Sequence, residues 1–360
     1  FRRTGVCALI LGIMIGLTMT KSDGSKLVKL WNRDAVVKRF GIYTYMLSDM
    51  VTSLTPAISP MFGYDESAHK FLEFYSKDRT YETNKYTNIF EDKNVIFIHM
   101  ESIQNFLIDL KVNGVEITPN INKLSREGMY FSKFYPQISI GTSSDTEFTL
   151  STGILPSSSG TVFVNYFNRK YESMERAFDN KGYYTFSMHA NVGDYWNRKN
   201  MYNTLGYKEY FDKSYFEVPT DKKSEDLVGL GLSDKSFFKQ IIPILKNIKE
   251  SNTKYMGKII TLSNHSPFDD VTKYGNIDLG YLNDTEMGNY LKSAHYADEA
   301  LGVFFKLVKE NGLDEDTVFI LYGDHESKLG KKNLNLLYNY DPITDTIKTE
   351  NDEGYIPYTK

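Results

Sequence analysis

The sequence predicts an α/β fold in which a mostly parallel central sheet carries helices on both faces. The runs 94–100 and 317–322 are continuously apolar, as expected of strands that are buried on both faces of a sheet. Segments whose apolar residues recur at helical spacing lie between such runs. An alternation of strands and helices indicates a parallel sheet covered by helices.

The other elements of this domain follow in chain order. Thr118 and Pro119 form a helix start, because proline is favoured at the first helical position. Gly312 predicts the end of a long helix, since glycine is common just past helix C-termini. His295, Asp298 and Glu299 of that helix have the pattern of a charged solvent face. The predicted helices span 118–128, 173–182, 237–248 and 284–311, and the further predicted strands span 129–135, 183–188 and 255–262.

Composition excludes several classes of protein. The chain of 360 residues is long enough for one large α/β domain with appendages. A net charge of -4 provides no basic field of the kind that binds nucleic acid. Cys7 is the single cysteine, which rules out a disulfide framework and a thiolate metal cluster.

The first twenty residues are predicted to be the end of a membrane region. Residues 4–20 carry no charge and follow Arg2 and Arg3, and their length is near the lower limit of roughly 17 residues for a transmembrane helix. A cleaved signal peptide is the alternative, although no A-x-A-like site follows. We expect a chain truncated at both ends, with a last transmembrane helix in 1–20, a helical and polar linker in 21–93, and the main domain in 94–360.

The stretch 139–148 combines hydroxyl side chains with carboxylates. Its hydroxyls at 142–144 stand between a glycine and two acidic residues, Asp145 and Glu147. A serine or threonine hydroxyl becomes a nucleophile when a base or a metal activates it. The same composition is typical of a loop that caps a helix. The stretch alone does not decide between a nucleophile and a cap.

Polar side chains recur where predicted strands end. Glu101 follows the first strand, Asp324 and His325 follow the last, and His189 and His265 follow two others. In open α/β sheets, ligands bind outside the carboxyl ends of the strands. Two carboxylates and an imidazole suit a divalent cation such as manganese, magnesium or zinc. Each residue alone could instead be a hydrogen-bonded structural side chain.

An ordered set of motifs between about residues 94 and 330 resembles the lipoteichoic acid synthase family, a branch of the alkaline phosphatase/sulfatase superfamily. The motifs are H-M-E-S at 99–102, G-T-S-S-D-T-E-F at 141–148, H-A-N at 189–191, W-N-R at 196–198, S-N-H-S-P-F at 263–268 and Y-G-D-H at 322–325. No single motif is specific, but the set is. The resemblance implies a sulfatase-like fold and an extracellular catalytic domain that follows membrane helices.

The resemblance also implies roles for individual residues. Glu101, Asp324 and His325 would be the metal ligands, with manganese as the usual ion. Ser143 would be both the nucleophile and a further metal ligand when S-D-T-E-F is matched to the family's pattern. Thr142 remains the alternative nucleophile. Four residues would surround the glycerol phosphate group: His189, Trp196, Arg198 and His265.

The implied activity is transfer of glycerol phosphate from phosphatidylglycerol to a growing polyglycerol-phosphate chain on a glycolipid. It would proceed through a covalent glycerophospho-enzyme at the cell membrane, on the extracellular face of a Gram-positive-type bacterium. A phosphodiesterase, a primase that adds only the first glycerol phosphate and a phosphoethanolamine-type transferase are alternatives within the superfamily. A non-catalytic scaffold is the alternative outside enzyme classes.

Overall fold

The computed structural model of the protein describes residues 2–58, 64–76, 82–251 and 254–357. The chain divides into two compact units. The first unit consists of Phe1–Glu91, Gln137–Ser173 and Asp194–Leu205. The second unit consists of Asp92–Pro136, Met174–Gly193 and Gly206–Lys360.

Helices occur in both units. In chain order they are α1 (Arg2–Leu17), α2 (Lys21–Lys29), α3 (Arg33–Phe40), α4 (Ile42–Ile58), α5 (Tyr64–Tyr75), α6 (Pro119–Glu127), α7 (Ser143–Thr152), α8 (Val162–Asn165), α9 (Met174–Asn180), α10 (Arg198–Leu205), α11 (Asp234–Ser251), α12 (Glu286–Glu310) and α13 (Lys331–Asn339). The predicted helices of the main domain are confirmed as α6, α9, α11 and α12. Gly312 follows α12 with a φ of 62°, a conformation that glycine adopts without strain.

The strands all lie in the second unit. They are β1 (Asn94–Met100), β2 (Lys111–Val112), β3 (Val115–Glu116), β4 (Tyr184–His189), β5 (Glu209–Phe211), β6 (Leu227–Val228), β7 (Gly231–Leu232), β8 (Tyr255–Ile260), β9 (Thr317–Gly323), β10 (Tyr340–Asp341) and β11 (Thr346–Ile347). Five of them form one sheet in the order β5-β4-β8-β1-β9, and every pairing in it is parallel. The parallel central sheet is therefore confirmed.

The two faces of this sheet are covered differently. Ile98 of β1 and Ile259 of β8 lie in one buried apolar cluster with side chains of α11 and α12, such as Phe238 and Phe304. The preceding side chain along β8 points to the opposite face, because successive residues of a strand alternate. That residue is Lys258, whose Nζ lies 3.9 Å from Glu175 of α9, and both side chains are fully buried. Helices thus pack on both faces, as predicted.

Two sequence predictions in this unit are wrong. Residues 129–135 form no strand but an irregular segment, and several of its large apolar side chains are exposed, including Phe131 at 71% and Tyr135 at 67%. Asp298 does not lie on a solvent face of α12, since its side chain is fully buried. It accepts hydrogen bonds from the backbone N–H groups of Asn120 and Ile121 at the start of α6.

The first unit is helical. Leu30, Val36 and Val164 form a small buried apolar cluster that joins α3 and α8. Helices α2 to α4 lie within the predicted linker of 21–93, and residues 59–63 and 77–81 of that linker lie outside the described residues. Helix α1 covers most of the predicted membrane segment in sixteen residues. Among the described residues, no helix combines the length and the apolar character needed to cross a bilayer.

Candidate active site

The parallel pairing of β1 with β9 brings three predicted ligands together. Met100 pairs with Gly323, so Glu101 and Asp324 leave the sheet side by side, and His325 follows at once. One ligand atom from each of the three side chains can be chosen so that all three atoms lie within 4.8 Å of one another. All three residues are buried. The structure therefore unites residues that are more than 220 positions apart in the sequence.

The imidazole of His325 is oriented for metal binding. Its Nδ1 lies 2.8 Å from the backbone oxygen of Glu326, which can only accept a hydrogen bond. Nδ1 therefore carries the proton, and Nε2 is the nitrogen that can bind a cation. Nε2 faces the two carboxylates, 3.2 Å from Asp324 Oδ2 and 3.5 Å from Glu101 Oε1.

The carboxylate of Asp324 is held in its charged form. Oδ1 accepts hydrogen bonds of 2.8 Å from the backbone N–H groups of Ser102 and His325. Oδ2 lies 3.1 Å from Nε2 of His99, whose Nδ1 lies 3.2 Å from the Tyr322 hydroxyl. Burial alone would raise the pKa of Asp324, but the neighbouring His325 and His99 imidazoles and the Ser102 N–H lower it well below the usual carboxyl range.

Glu101 is fixed through its main chain. Its N–H donates to Thr261 Oγ1 at 2.9 Å, and its carbonyl oxygen accepts from Asn264 Nδ2 at 3.0 Å. The side chain accepts a hydrogen bond of 2.7 Å from the Ser102 hydroxyl at Oε1. Thr261 and Asn264 both belong to the loop that follows β8. Two buried carboxylates and one oriented imidazole thus fit a hard or borderline divalent cation.

His189 and His265 lie at the same edge of the sheet. His189 ends β4 and pairs with Ile260 of β8, which in turn pairs with His99 of β1. Its Nδ1 lies 3.0 Å from the Ile260 carbonyl oxygen, which sets the orientation of the ring. His265 follows β8 and is half-buried, with Nδ1 2.6 Å from the backbone oxygen of Ser266.

Ser143, Trp196 and Arg198 belong to the first unit. Ser143 is the first residue of α7 and is buried, and Thr142 before it has a φ of 44°. The hydroxyl stretch therefore does begin a helix, as its cap-like composition indicated. Trp196 is half-buried, and its ring centroid lies 6.2 Å from that of Trp31.

Arg198 has a partner that the sequence did not predict. Its Nε and Nη2 donate to Oε1 of Glu147 at 3.0 and 2.8 Å, and all of these groups are buried. The Tyr202 hydroxyl donates to the other oxygen of the same carboxylate. Glu147 is one helical turn after Ser143, so this pair ties α7 to α10. The phosphate contact predicted for Arg198 stays a prediction.

Asp145 shapes the turn before the hydroxyls. Its Oδ2 accepts hydrogen bonds of 2.8 Å from the backbone N–H groups of Ser139 and Gly141. Burial raises the pKa of Asp145, and these two N–H groups oppose the rise. A Cβ atom at Gly141 would overlap Asp145 Oδ1 and would come within 2.8 Å of Ser144 Oγ. Only glycine leaves room for this turn.

Gly141→Ala should therefore destabilise the first unit by about 1–3 kcal/mol, as overpacking of a buried site does. Gly24→Ala is the matched control, because Gly24 lies in α2 of the same unit and no atom would come within 4 Å of its Cβ. That change should be neutral or stabilising by up to about 1 kcal/mol. Urea unfolding followed by circular dichroism measures both, and equal effects would contradict the account of this turn.

Comparisons with known proteins agree with this geometry. The sulfatase family profile matches residues 93–350. The chain is 32% identical over 341 residues to lipoteichoic acid synthase 2 of Bacillus subtilis. The aligned region covers 93% of this chain and 52% of that protein. Lipoteichoic acid synthase of Staphylococcus saprophyticus is 31% identical, covering 89% of this chain and 49% of that protein.

A solved structure is also similar. The crystal structure of the lipoteichoic acid synthase LtaP from Listeria monocytogenes matches with a TM-score of 0.66 and 31% identity, covering 73% of this chain and 64% of that chain. The chain spans about half the length of the curated relatives it matches. The resemblance noted from the motifs is confirmed. The chain belongs to the sulfatase family, and the relatives named here are its lipoteichoic acid synthases.

Proposed function

We propose that the chain is the catalytic part of a membrane-anchored transferase that moves glycerol phosphate from phosphatidylglycerol to a growing polyglycerol-phosphate chain. The observation that carries the proposal is the convergence of Glu101, Asp324 and His325 at the carboxyl edge of the sheet. Relatives named lipoteichoic acid synthases, at 31–32% identity, support the reaction class, and the motif resemblance implies the donor and the acceptor. The motif resemblance implies the proposed cell-membrane location, with the catalytic domain outside the cell.

The metal centre would consist of Glu101, Asp324 and His325, with Ser143 as a further ligand. Manganese is the proposed ion, and magnesium and zinc are alternatives for the same donor set. A divalent cation, when bound, would lower the pKa of a ligating hydroxyl and neutralise phosphoryl oxygens. The chain's own contribution would be to bring two buried carboxylates and one imidazole together, with Asp324 held ionised and Nε2 of His325 turned toward both carboxylates.

The chemical steps would run through Ser143. Its oxygen forms a bond to the phosphorus of phosphatidylglycerol, the bond from phosphorus to the diacylglycerol oxygen breaks, and a glycerophospho-serine results. The proton lost by the serine passes to the departing alcohol. The terminal hydroxyl of the acceptor then forms a bond to the same phosphorus, the bond from phosphorus to the Ser143 oxygen breaks, and the acceptor's proton passes to that oxygen to restore the serine hydroxyl.

The remaining polar residues would handle the phosphate and its protons. We assign to His189 and His265 contacts with phosphoryl oxygens and the proton transfers between the two alcohols. Trp196 would line the pocket for the glycerol moiety. Arg198 would contribute its guanidinium to phosphate binding while Glu147 orients it through Nε and Nη2.

Ser143→Ala should reduce the release of diacylglycerol from phosphatidylglycerol by at least about 100-fold, because the attacking oxygen is lost. Thr142→Val is the matched control, since it removes the neighbouring hydroxyl and keeps the side-chain shape. It should retain activity within about tenfold. Release of a fluorescent diacylglycerol with Mn²⁺ measures both variants, and the opposite result would make Thr142 the nucleophile.

Manganese should stabilise the wild-type protein against heat, because a ligand that binds only the folded state adds about 2.7 kcal/mol at a hundredfold excess over its Kd. Asp324→Asn and Glu101→Gln should abolish this shift in Tm. Glu326→Gln removes an exposed carboxylate adjacent to His325 and should leave the shift intact. A chelator should abolish activity, and added Mn²⁺ should restore it. An unchanged shift in the Asp324 and Glu101 variants would refute the proposed metal centre.

The acceptor distinguishes a polymerase from the related activities. With labelled phosphatidylglycerol, the label should pass to an acceptor that already carries polyglycerol phosphate and should lengthen it. Transfer to the bare glycolipid alone would identify a primase. Release of glycerol phosphate to water alone would identify a phosphodiesterase. Mass analysis of the products separates these outcomes, and a folded, manganese-loaded protein that gives none of them would contradict the proposed activity.

A further inference from the structure

The loop after β8 holds Glu101 from both sides. Thr261 Oγ1 accepts the N–H of Glu101, and Asn264 Nδ2 donates to the carbonyl oxygen of Glu101. Thr261 is also bound to the carbonyl oxygen of His99 through its own backbone N–H at 3.0 Å. The position of Glu101 relative to Asp324 therefore depends on where this loop lies. The loop also leads directly into His265.

The middle of the loop is anchored by a buried carboxylate on another element. Asp234, the first residue of α11, accepts the backbone N–H of Leu262 at 2.7 Å and that of Ser263 at 3.1 Å. The Asp234 backbone N–H donates in return to Ser263 Oγ at 2.8 Å. Asp234 is 1% exposed. Burial raises its pKa to about 6, with a smaller contribution from the negative charge of Glu101.

We propose that Asp234 is a positioning residue for the metal centre, acting through the loop of residues 261–265. Its carboxylate accepts hydrogen bonds from Leu262 and Ser263. These two residues lie between Thr261 and Asn264, which form hydrogen bonds with the main chain of Glu101. This inference rests on the proposed metal-dependent function and adds to it a residue that touches neither the cation nor the substrate.

The physical basis is the cost of leaving backbone groups unsatisfied. The loop is buried and short, and it has no strand partner at residues 262–263, so its N–H groups depend on Asp234. Without both acceptor oxygens, the loop would shift to find other partners. A shift of the loop moves Thr261 and Asn264, and thereby the main chain of Glu101. Loss of such outer contacts in metal sites typically lowers metal affinity by about 10–100-fold.

Asp234→Asn tests the inference, because it keeps the shape of the side chain and replaces one acceptor oxygen by an NH₂ group. The Kd for Mn²⁺, measured by titration calorimetry on the full chain, should rise at least about tenfold. The thermal midpoint should also fall, since one buried hydrogen bond is lost.

Asp298→Asn is the matched control for a purely structural loss. Asp298 is also a buried carboxylate that accepts two backbone N–H groups, at 2.9 Å from Asn120 and 2.8 Å from Ile121, but these lie at the start of α6. Its variant should lower the thermal midpoint comparably and leave the Kd for Mn²⁺ unchanged within about twofold. A Kd for Asp234→Asn that also stays within twofold of the wild type would overturn the proposal.

A second variant covers the case in which Asp234→Asn does not fold. Thr261→Val removes the oxygen that accepts the Glu101 N–H, and it should raise the Kd for Mn²⁺ by a similar factor, whereas Thr261→Ser should restore it. An unchanged Kd in Thr261→Val would overturn the proposal as well. If the wild-type protein binds no Mn²⁺, the proposed metal-dependent function fails, and this inference falls with it.

Discussion

The in-register pairing of β1 with β9 is the interaction on which the candidate site depends. It places Met100 opposite Gly323, so that the carboxylates of Glu101 and Asp324 follow directly after this pair. The pairing tolerates no larger residue than glycine at 323, because a Cβ there would overlap the carbonyl oxygen of Ile103. A slip by one residue would turn Asp324 to the opposite face of the sheet. The hydrophobic pattern of the two strands therefore sets the chemistry at their ends.

The site accumulates negative charge where burial makes charge costly. Glu101 and Asp324 are 5% and 0% exposed, and an isolated buried carboxylate would be protonated. Here backbone N–H groups and His99 keep Asp324 ionised. On the opposite face of the sheet a buried charge is neutralised differently, by the pairing of Lys258 with Glu175. A bound divalent cation would supply positive charge that balances the two buried carboxylates.

The sequence predicts the central sheet and the convergence of Glu101, Asp324 and His325 well, because long apolar strands carry a strong local signal and parallel strands end at one edge. Sequence-based prediction fails where the structure of a segment depends on contacts with residues far away in the chain. Residues 129–135 have the composition of a strand, yet no neighbouring strand pairs with them. The buried pair of Arg198 and Glu147 joins residues 51 positions apart, and neither residue's local pattern indicates the other. His99 lies inside an apolar run, which conceals its contact with Asp324.

Two buried aspartates of this chain, Asp145 and Asp234, accept hydrogen bonds from backbone N–H groups of nearby loops. The turn at 139–141 and the loop at 262–263 each have N–H groups that face a single carboxylate, Asp145 or Asp234. Hydrogen bonds to charged groups contribute about 1.5–3 kcal/mol each, more than neutral ones. Such bonds also fix direction, whereas apolar contacts do not. The turn leads into Ser143 at the start of α7 and the loop leads into His265, so each aspartate fixes the main chain next to a candidate site residue.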